Sequence, residues 1–271
     1  MSTADKLNKK LCLVSAFLDI GRQNWSTFRR SMEQYFMNFH PYTRVTHDMI
    51  VFMDDKHVAT LRKVCGNSPH ITIIPINREW MQEHIYAYRQ LARETEIMES
   101  EAFKKLVTHR LGHPECSKPE YNIMQHAKID FLCHVIVNKM SDADYFAWTD
   151  FGFFQDPSRI PKKDRFKLDL EKFDLERVNF QAMNNITNQD FNVMYTLTQA
   201  PERVGGFFYV GGPQQLLKYQ ELYHEVCRDF HTNGIVDDDQ HIMLQSLMRN
   251  PTLFKVWNMG AWHVTYLYFT F

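Results

Sequence analysis

The chain has 271 residues, 44% of them apolar and 23% charged, with a formal net charge of -1. That composition builds a substantial core and excludes a largely disordered chain. The near-zero charge argues against a nucleic-acid binder, which needs a clustered basic surface.

The N-terminus is a polar lead ending in Lys9 and Lys10. The apolar run that follows, Leu11 to Leu18, is too short to span a bilayer and has no cleavage site after it. It reads as a first, buried strand stopped at Asp19 and Gly21. "NWSTFRRSMEQYFMNF" places Trp25, Phe28, Met32 and Phe36 at helical spacing, with Ser26 as the cap. "HDMIVFMDD" predicts a second strand ending in Asp54 and Asp55. A short helix follows over 56–64, closed by Gly66. "ITIIPI", Ile71 to Ile76, predicts a third strand, and Pro75 places it at an edge or strand end.

The composition of 79–110 predicts helix, broken by Gly112 and Pro114. A further helix is predicted where Ile123, Ala127, Phe131 and Ile136 share a face. "YFAWTDFGFF" opens the next strand near Asp144. Strand and helix alternating in this way imply βαβ units and a mainly parallel sheet, hence an α/β fold with helices on the sheet faces. Beyond Pro157 the stretch "RIPKKDRFKLDLEKFDLERV" reads as a solvated excursion. "VNFQAMN" and "GGFFYVGG" read as strands, "PQQLLKYQELYHEVCRDF" as a helix started by Pro213, and "DDDQHIMLQSLM" as another. The aromatic C-terminal segment is expected to end as a strand.

The cysteines, Cys12, Cys65, Cys116, Cys133 and Cys227, are odd in number and widely spaced, with no CxxC pair. Reduced thiols in a cytoplasmic protein are expected. A surface patch leaves room for peripheral membrane contact.

Chemistry concentrates where strands end in acids. Ligands of parallel α/β sheets sit beyond the carboxyl ends of the strands. Asp19, Asp54 and Asp150 stand at such ends. Asp150, alone among aromatics, could ligate a divalent cation bridging two phosphates. It could equally accept backbone N–H bonds in a turn at Gly152. "GIVDDDQHIM" puts Asp237, Asp238 and Asp239 at a helix start. One acid suffices as cap and dipole partner, so a second is free to act as a base toward an acceptor hydroxyl. The glycine-flanked strand Gly205 to Gly212 suits either two turns or a floor under a sugar ring, with Gly206, Phe208, Gly211 and Gly212 as acceptor contacts. Arg22 and Lys128 are the cations placed to meet a diphosphate. His263, among aromatics, is a core histidine or the completion of a metal shell.

"VSAFLDIGRQNW", "YFAWTDFG", "GGFFYVGG" and "DDDQHIM", in this order, resemble the HtrL/YibB-like proteins, over about Leu11 to His263. The resemblance implies a single glycosyltransferase domain of the GT-A type. A Rossmann-like nucleotide-sugar half, about 11–154, is followed by an acceptor half, about 155–271. It links the chain with lipopolysaccharide-core and other surface-glycan synthesis. It implies a UDP- or GDP-sugar donor, a glycan acceptor and Mn²⁺ or Mg²⁺. Carried over, Asp150 binds metal, His263 is a late metal or phosphate ligand, Asp238 is the base with Asp239 its rival, Lys128 and Arg22 approach the diphosphate, and Phe17, Asp19 and Asp54 face the nucleoside. Trp148 departs from the family signature by replacing the first acid of Asp-x-Asp. The expected reaction is an inverting sugar transfer. The alternatives are a non-catalytic nucleotide or glycan binder on the same fold, and a metal-dependent nucleotidyl- or phosphotransferase.

Overall fold

The computed structural model describes residues 9–270. The polar lead before Lys9 and the last residue of the expected C-terminal strand, Phe271, lie outside the described residues. Seven strands form one sheet: β1 (Leu11–Phe17), β2 (Asp48–Asp54), β3 (Ile71–Ile76), β4 (Tyr145–Thr149), β5 (Val178–Ala182), β6 (Val204–Gly211) and β7 (Phe254–Asn258). Their order is β3-β2-β1-β4-β6-β5-β7. All neighbours run parallel except β6, which is antiparallel to both β4 and β5. The α/β, mainly parallel sheet expected from the strand–helix rhythm is therefore present. β3 lies at the edge, where Pro75 costs no ladder bond.

The helices are α1 (Met32–Phe39), α2 (Val58–Cys65), α3 (Arg78–His84), α4 (Leu91–Glu99), α5 (Glu101–Leu106), α6 (Pro114–Ser117), α7 (Pro119–Val137), α8 (Val193–Gln199), α9 (Pro213–Thr232), α10 (Asp239–Arg249) and α11 (Thr265–Tyr268). Side chains of the strands alternate between two cores, as the pleat requires. Cys12 and Val14 of β1, Ile50 and Phe52 of β2, and Phe146 and Trp148 of β4 face one core, with Ile123, Ala127 and Phe131 of α7 and Tyr219 of α9. Leu11, Leu13, Met49, Val51 and Ala147 face the other, with Phe36 and Phe39 of α1 and Leu61 of α2. The five cysteines are free and buried. No helix among the described residues is long and apolar enough to cross a membrane.

Four expectations need correction. The helix expected from Trp25 begins only at Met32, where Ser31, not Ser26, accepts the N–H of Gln34. The preceding residues form a loop carrying a left-handed Phe28. The helical stretch 79–110 is broken into short pieces: the helix capped by Asn77 ends at His84, another runs Leu91–Glu99, and Ser100 caps a third start. The charged stretch after Pro157 is no solvated excursion. Phe166, Leu168, Leu170 and Phe173 are buried, and short bridges tie Val45 to Phe166 and Leu168 to Thr270. Phe166, Leu168 and Leu170 recur at every second position between charged residues, a strand-like pattern that the overall charge hides. Finally, the C-terminal segment holds its strand, β7, at its start and closes on the short helix α11.

Candidate functional site

β1 is flanked by β2 on one side and β4 on the other, so chain connections diverge between β1 and β4. Open α/β sheets bind ligands outside the strand ends at such a switch point. A cleft of about 110 Å³ opens there, lined by Phe17, Asp19, Arg22, Arg30, Lys128 and Asp150 among others. A second cleft of about 260 Å³ adjoins it across Leu18 and is lined by Asp54, Asp55, Lys56, Asn77, Arg78 and Glu79. Each is below the roughly 300–1,000 Å³ usual for small-molecule sites, so a bulky ligand would have to span both.

Asp150 stands just past β4, and its side chain remains partly exposed. The turn at Gly152 uses its carbonyl, which accepts the N–H of Phe153 at 2.9 Å. The carboxylate is therefore not spent on the turn. Its Oδ1 accepts the indole N–H of Trp148 at 2.8 Å and lies 3.1 Å from Lys128 Nζ. Behind it, Tyr42 donates to the Asp150 carbonyl at 2.9 Å, and the Tyr42 and Thr149 hydroxyls are 2.5 Å apart. This packing fixes where the acid can point.

Lys128, buried on α7, joins the two halves of the site. Its ammonium contacts Asp239 Oδ2 at 2.7 Å, Asp150 Oδ1 at 3.1 Å and the carbonyl of Gly206 at 3.1 Å. Burial opposes its charge, but Asp150 and Asp239 outweigh that and raise its pKa. A triply bonded ammonium between two carboxylates satisfies all three of its donors.

The three acids at the start of α10, Asp237, Asp238 and Asp239, are all buried. Asp237 accepts from His241 Nδ1 at 2.6 Å and lies 3.7 Å from Arg110. Asp238 is the N-cap, accepting the Gln240 N–H at 3.0 Å. Burial, and then the negative charges of Asp239 and Asp237, push Asp238 up to about 8. Burial also raises Asp239, with Lys128 opposing. Neighbouring buried carboxylates resist being ionised together.

The expected residues do not all converge. Phe17, Asp19, Arg22, Lys128 and Asp150 line one cleft. Asp54 faces the second and holds the loop: its Oδ2 accepts the N–H of Asp19 at 3.1 Å. Burial disfavours the charge of Asp19, but the N–H of Gly21 and His57 hold its carboxyl below the usual value. Gly206 belongs to the site because a Cβ there would come within 1.8 Å of Asp239 Oδ2. Phe208 does not: it is buried against Phe173 and Tyr266 in the second core. Gly211 pairs with Phe146 near the start of β4, at the opposite end of the sheet, and Gly212 caps α9 there. The antiparallel course of β6 separates the two glycine pairs. His263 packs on Phe207 at 4.5 Å, and burial lowers its pKa to about 4. Its Nε2 is 3.3 Å from the Gln155 amide nitrogen.

A divalent cation shared by Asp150 and His263 does not fit this donor set. Asp150 already faces an ammonium at 3.1 Å. Lys128 Nζ lies 3.1 and 3.4 Å from its two oxygens, Trp148 donates to one of them, and His263 Nε2 faces the Gln155 amide nitrogen at 3.3 Å, so each ligand atom a cation would need is already taken. Among the described residues, the group whose ligand atoms converge is Asp237, Asp238 and His241, all buried. There Asp237 and His241 are already bonded to each other, with Arg110 alongside.

Sequence reasoning missed Arg30. It lines the cleft beside Gly152 and donates to Gln155 Oε1 at 2.8 Å. The Arg29-Arg30 pair before α1 was the available signal. Trp148 was noted only as a missing acid, whereas it is the donor that holds Asp150.

Two comparisons relate the whole chain to known proteins. The chain is 24% identical over 256 residues to Protein HtrL of Escherichia coli (strain K12), covering 92% of this chain and 87% of that protein. A family model described as "Bacterial protein of unknown function (HtrL_YibB)" matches residues 9–270. With that match spanning nearly the whole length, this chain belongs to the HtrL/YibB family.

Proposed function

We propose that the protein is a glycosyltransferase that moves a sugar from a nucleotide-sugar donor to a hydroxyl of a glycan. One observation carries this reading. A cleft at the switch point of a mainly parallel sheet is lined by three cations, Arg22, Arg30 and Lys128, together with Asp19 and Asp150, and Lys128 ties it to the buried Asp239. The second cleft, at Asp54 and Asn77, has the room to take the nucleoside across Leu18. The diphosphate then lies against Arg22 and Arg30, where fixed positive charge favours its departure.

In transfer, the bond from the anomeric carbon to the diphosphate oxygen breaks and a bond to the acceptor oxygen forms. The acceptor's proton must pass to a carboxylate. Asp238 is spent on capping, and burial with the charges of Asp239 and Asp237 disfavours its ionised form. Asp239 is tied to the cleft through Lys128 and keeps 8% of its side chain exposed, as Lys128 does. Asp239 is therefore the base of this proposal. A base acting from the face opposite the departing group would invert the anomeric centre.

The test is incubation of the purified protein with a panel of UDP-, GDP- and dTDP-sugars, scoring nucleoside diphosphate release with and without glycan acceptors. Release that falls at least 100-fold in Asp239→Asn, with donor affinity retained, is the expected result. Donor binding with neither transfer nor hydrolysis would instead favour a nucleotide-binding protein. Equal release by Asp239→Asn would remove that acid as base.

A further inference from the structure

Two guanidinium groups share one wall of the cleft. Arg22 donates through Nε to the Phe28 carbonyl at 2.9 Å and through Nη1 to the Tyr35 hydroxyl at 3.3 Å. It also lies over the rings of Trp25 and Tyr121, at 5.6 and 5.7 Å. Arg30 lies over the ring of the same Tyr35 at 5.2 Å and donates to Gln155. These partners are all neutral. The two cations repel each other, and burial together with Arg22 lowers the pKa of Arg30. Among the described residues, no carboxylate within ion-pair distance offsets either arginine. The nearby acid, Asp150, offsets the charge of Arg30 only at a distance, because Lys128 and Trp148 hold its carboxylate.

Two half-buried like charges held by neutral groups around one tyrosine are unfavourable without an anion between them. Each guanidinium keeps N–H donors beyond those named, in the planar fork that matches phosphate oxygens. Lys128 has a different task. Its single charge is shared between Asp150 and Asp239, so it offsets Asp150 only in part and leaves the counter-charge for a phosphate to the two arginines.

We infer that Arg22 and Arg30 form a phosphate clamp in this cleft and that it takes a diphosphate without a divalent cation. The inference rests on the diphosphate-binding part of the proposed function. It differs from it in assigning the counter-charge to arginines rather than to a metal.

Calorimetric titration of the full chain with inorganic pyrophosphate, UDP and GDP tests it, in EDTA and in Mg²⁺. At least one of the three is expected to bind in EDTA. Mg²⁺ should change its affinity less than about threefold, and rising salt should weaken it. Arg22→Gln and Arg30→Gln should each weaken binding about tenfold or more, as expected for loss of a charge-assisted contact. Both arginines are half-buried, so the variants should fold, which circular dichroism will verify. The wild-type comparison in EDTA decides the metal question without them. Binding seen only with Mg²⁺ would overturn the inference and leave sugar transfer standing. Binding in EDTA that survives both substitutions would also overturn it, by placing the anion elsewhere. No binding of any diphosphate under either condition would overturn the inference and the proposed function together.

Discussion

The indole N–H of Trp148 donates to Asp150 Oδ1 across 2.8 Å. The residue two places before the acid therefore holds that acid by a hydrogen bond, where the Asp-x-Asp signature would put a second carboxylate. Trp148 is buried and Asp150 is partly exposed, so the bond crosses from core to cleft.

Trp148→Phe keeps most of the ring and removes the donor. The bond goes to a charged acceptor, so the expected loss of stability is about 1–3 kcal/mol. Urea unfolding measures it. A wild-type midpoint with an unchanged slope would show that the bond carries no weight.

Lys128 is the internal counter-ion of two acids. Lys128→Met leaves Asp239 buried without its partner and should cost about 3–5 kcal/mol. Adding Asp239→Asn should restore at least half of that loss, because the uncompensated charge is gone. Simple additivity of the two single changes in a double-mutant cycle would contradict the coupling.

Gly206→Ala puts a methyl within 1.8 Å of Asp239 Oδ2. A free side chain would swing aside, but Asp239 is held by Lys128 at 2.7 Å. The expected cost is about 1–3 kcal/mol, as for other overpacking. Gly112→Ala, where nothing lies within 4 Å, is the control and should be near neutral. Equal melting temperatures for the two variants would argue against a locked Asp239.

Stability should peak near pH 6.5. Burial opposes the charge of His241, but Asp237 outweighs it and raises its pKa to about 9 from an ordinary 6.5. Its contribution is complete below pH 6.5 and is lost as pH rises through 9. Burial, with Asp239 and Asp237, raises Asp238 to about 8 from 3.8, so stability also falls as pH climbs between those values. On the acid side, burial lowers His47, His126 and His263 to about 4. Their contribution is present above pH 6.5 and is lost as pH falls through 4. Between pH 4 and 6.5 the three histidines outweigh the two raised acids, Asp238 and Asp239. Melting temperatures from pH 4 to 9 check this, and Asp238→Asn should flatten the fall between pH 6.5 and 8. A maximum at pH 8 or above would contradict these assignments.

Local pattern carried much of the architecture. Apolar runs ending in acids located β1, β2 and β4, because a strand buried on both faces must be continuously apolar and must stop at its first charge. Pro213 and the acids at 237–239 marked the starts of α9 and α10, since caps act within one turn. The pattern misled where charge and apolar residues alternate, as around Phe166 and Leu168, which composition assigns to solvent and burial assigns to the core.

By itself, the order of residues determined an α/β chain with acids at its strand ends and cations nearby. Only the tertiary structure decided their pairings. The antiparallel course of β6 sent Gly211 and Gly212 away from the cleft and brought Gly206 to Asp239. Long-range packing set Lys128 between Asp150 and Asp239, 22 and 111 residues away, and put Arg30 beside Gly152. Strand propensity and helix caps act over a few residues, whereas an ion's partner is whichever group the packed sheet carries to within about 3–4 Å of it.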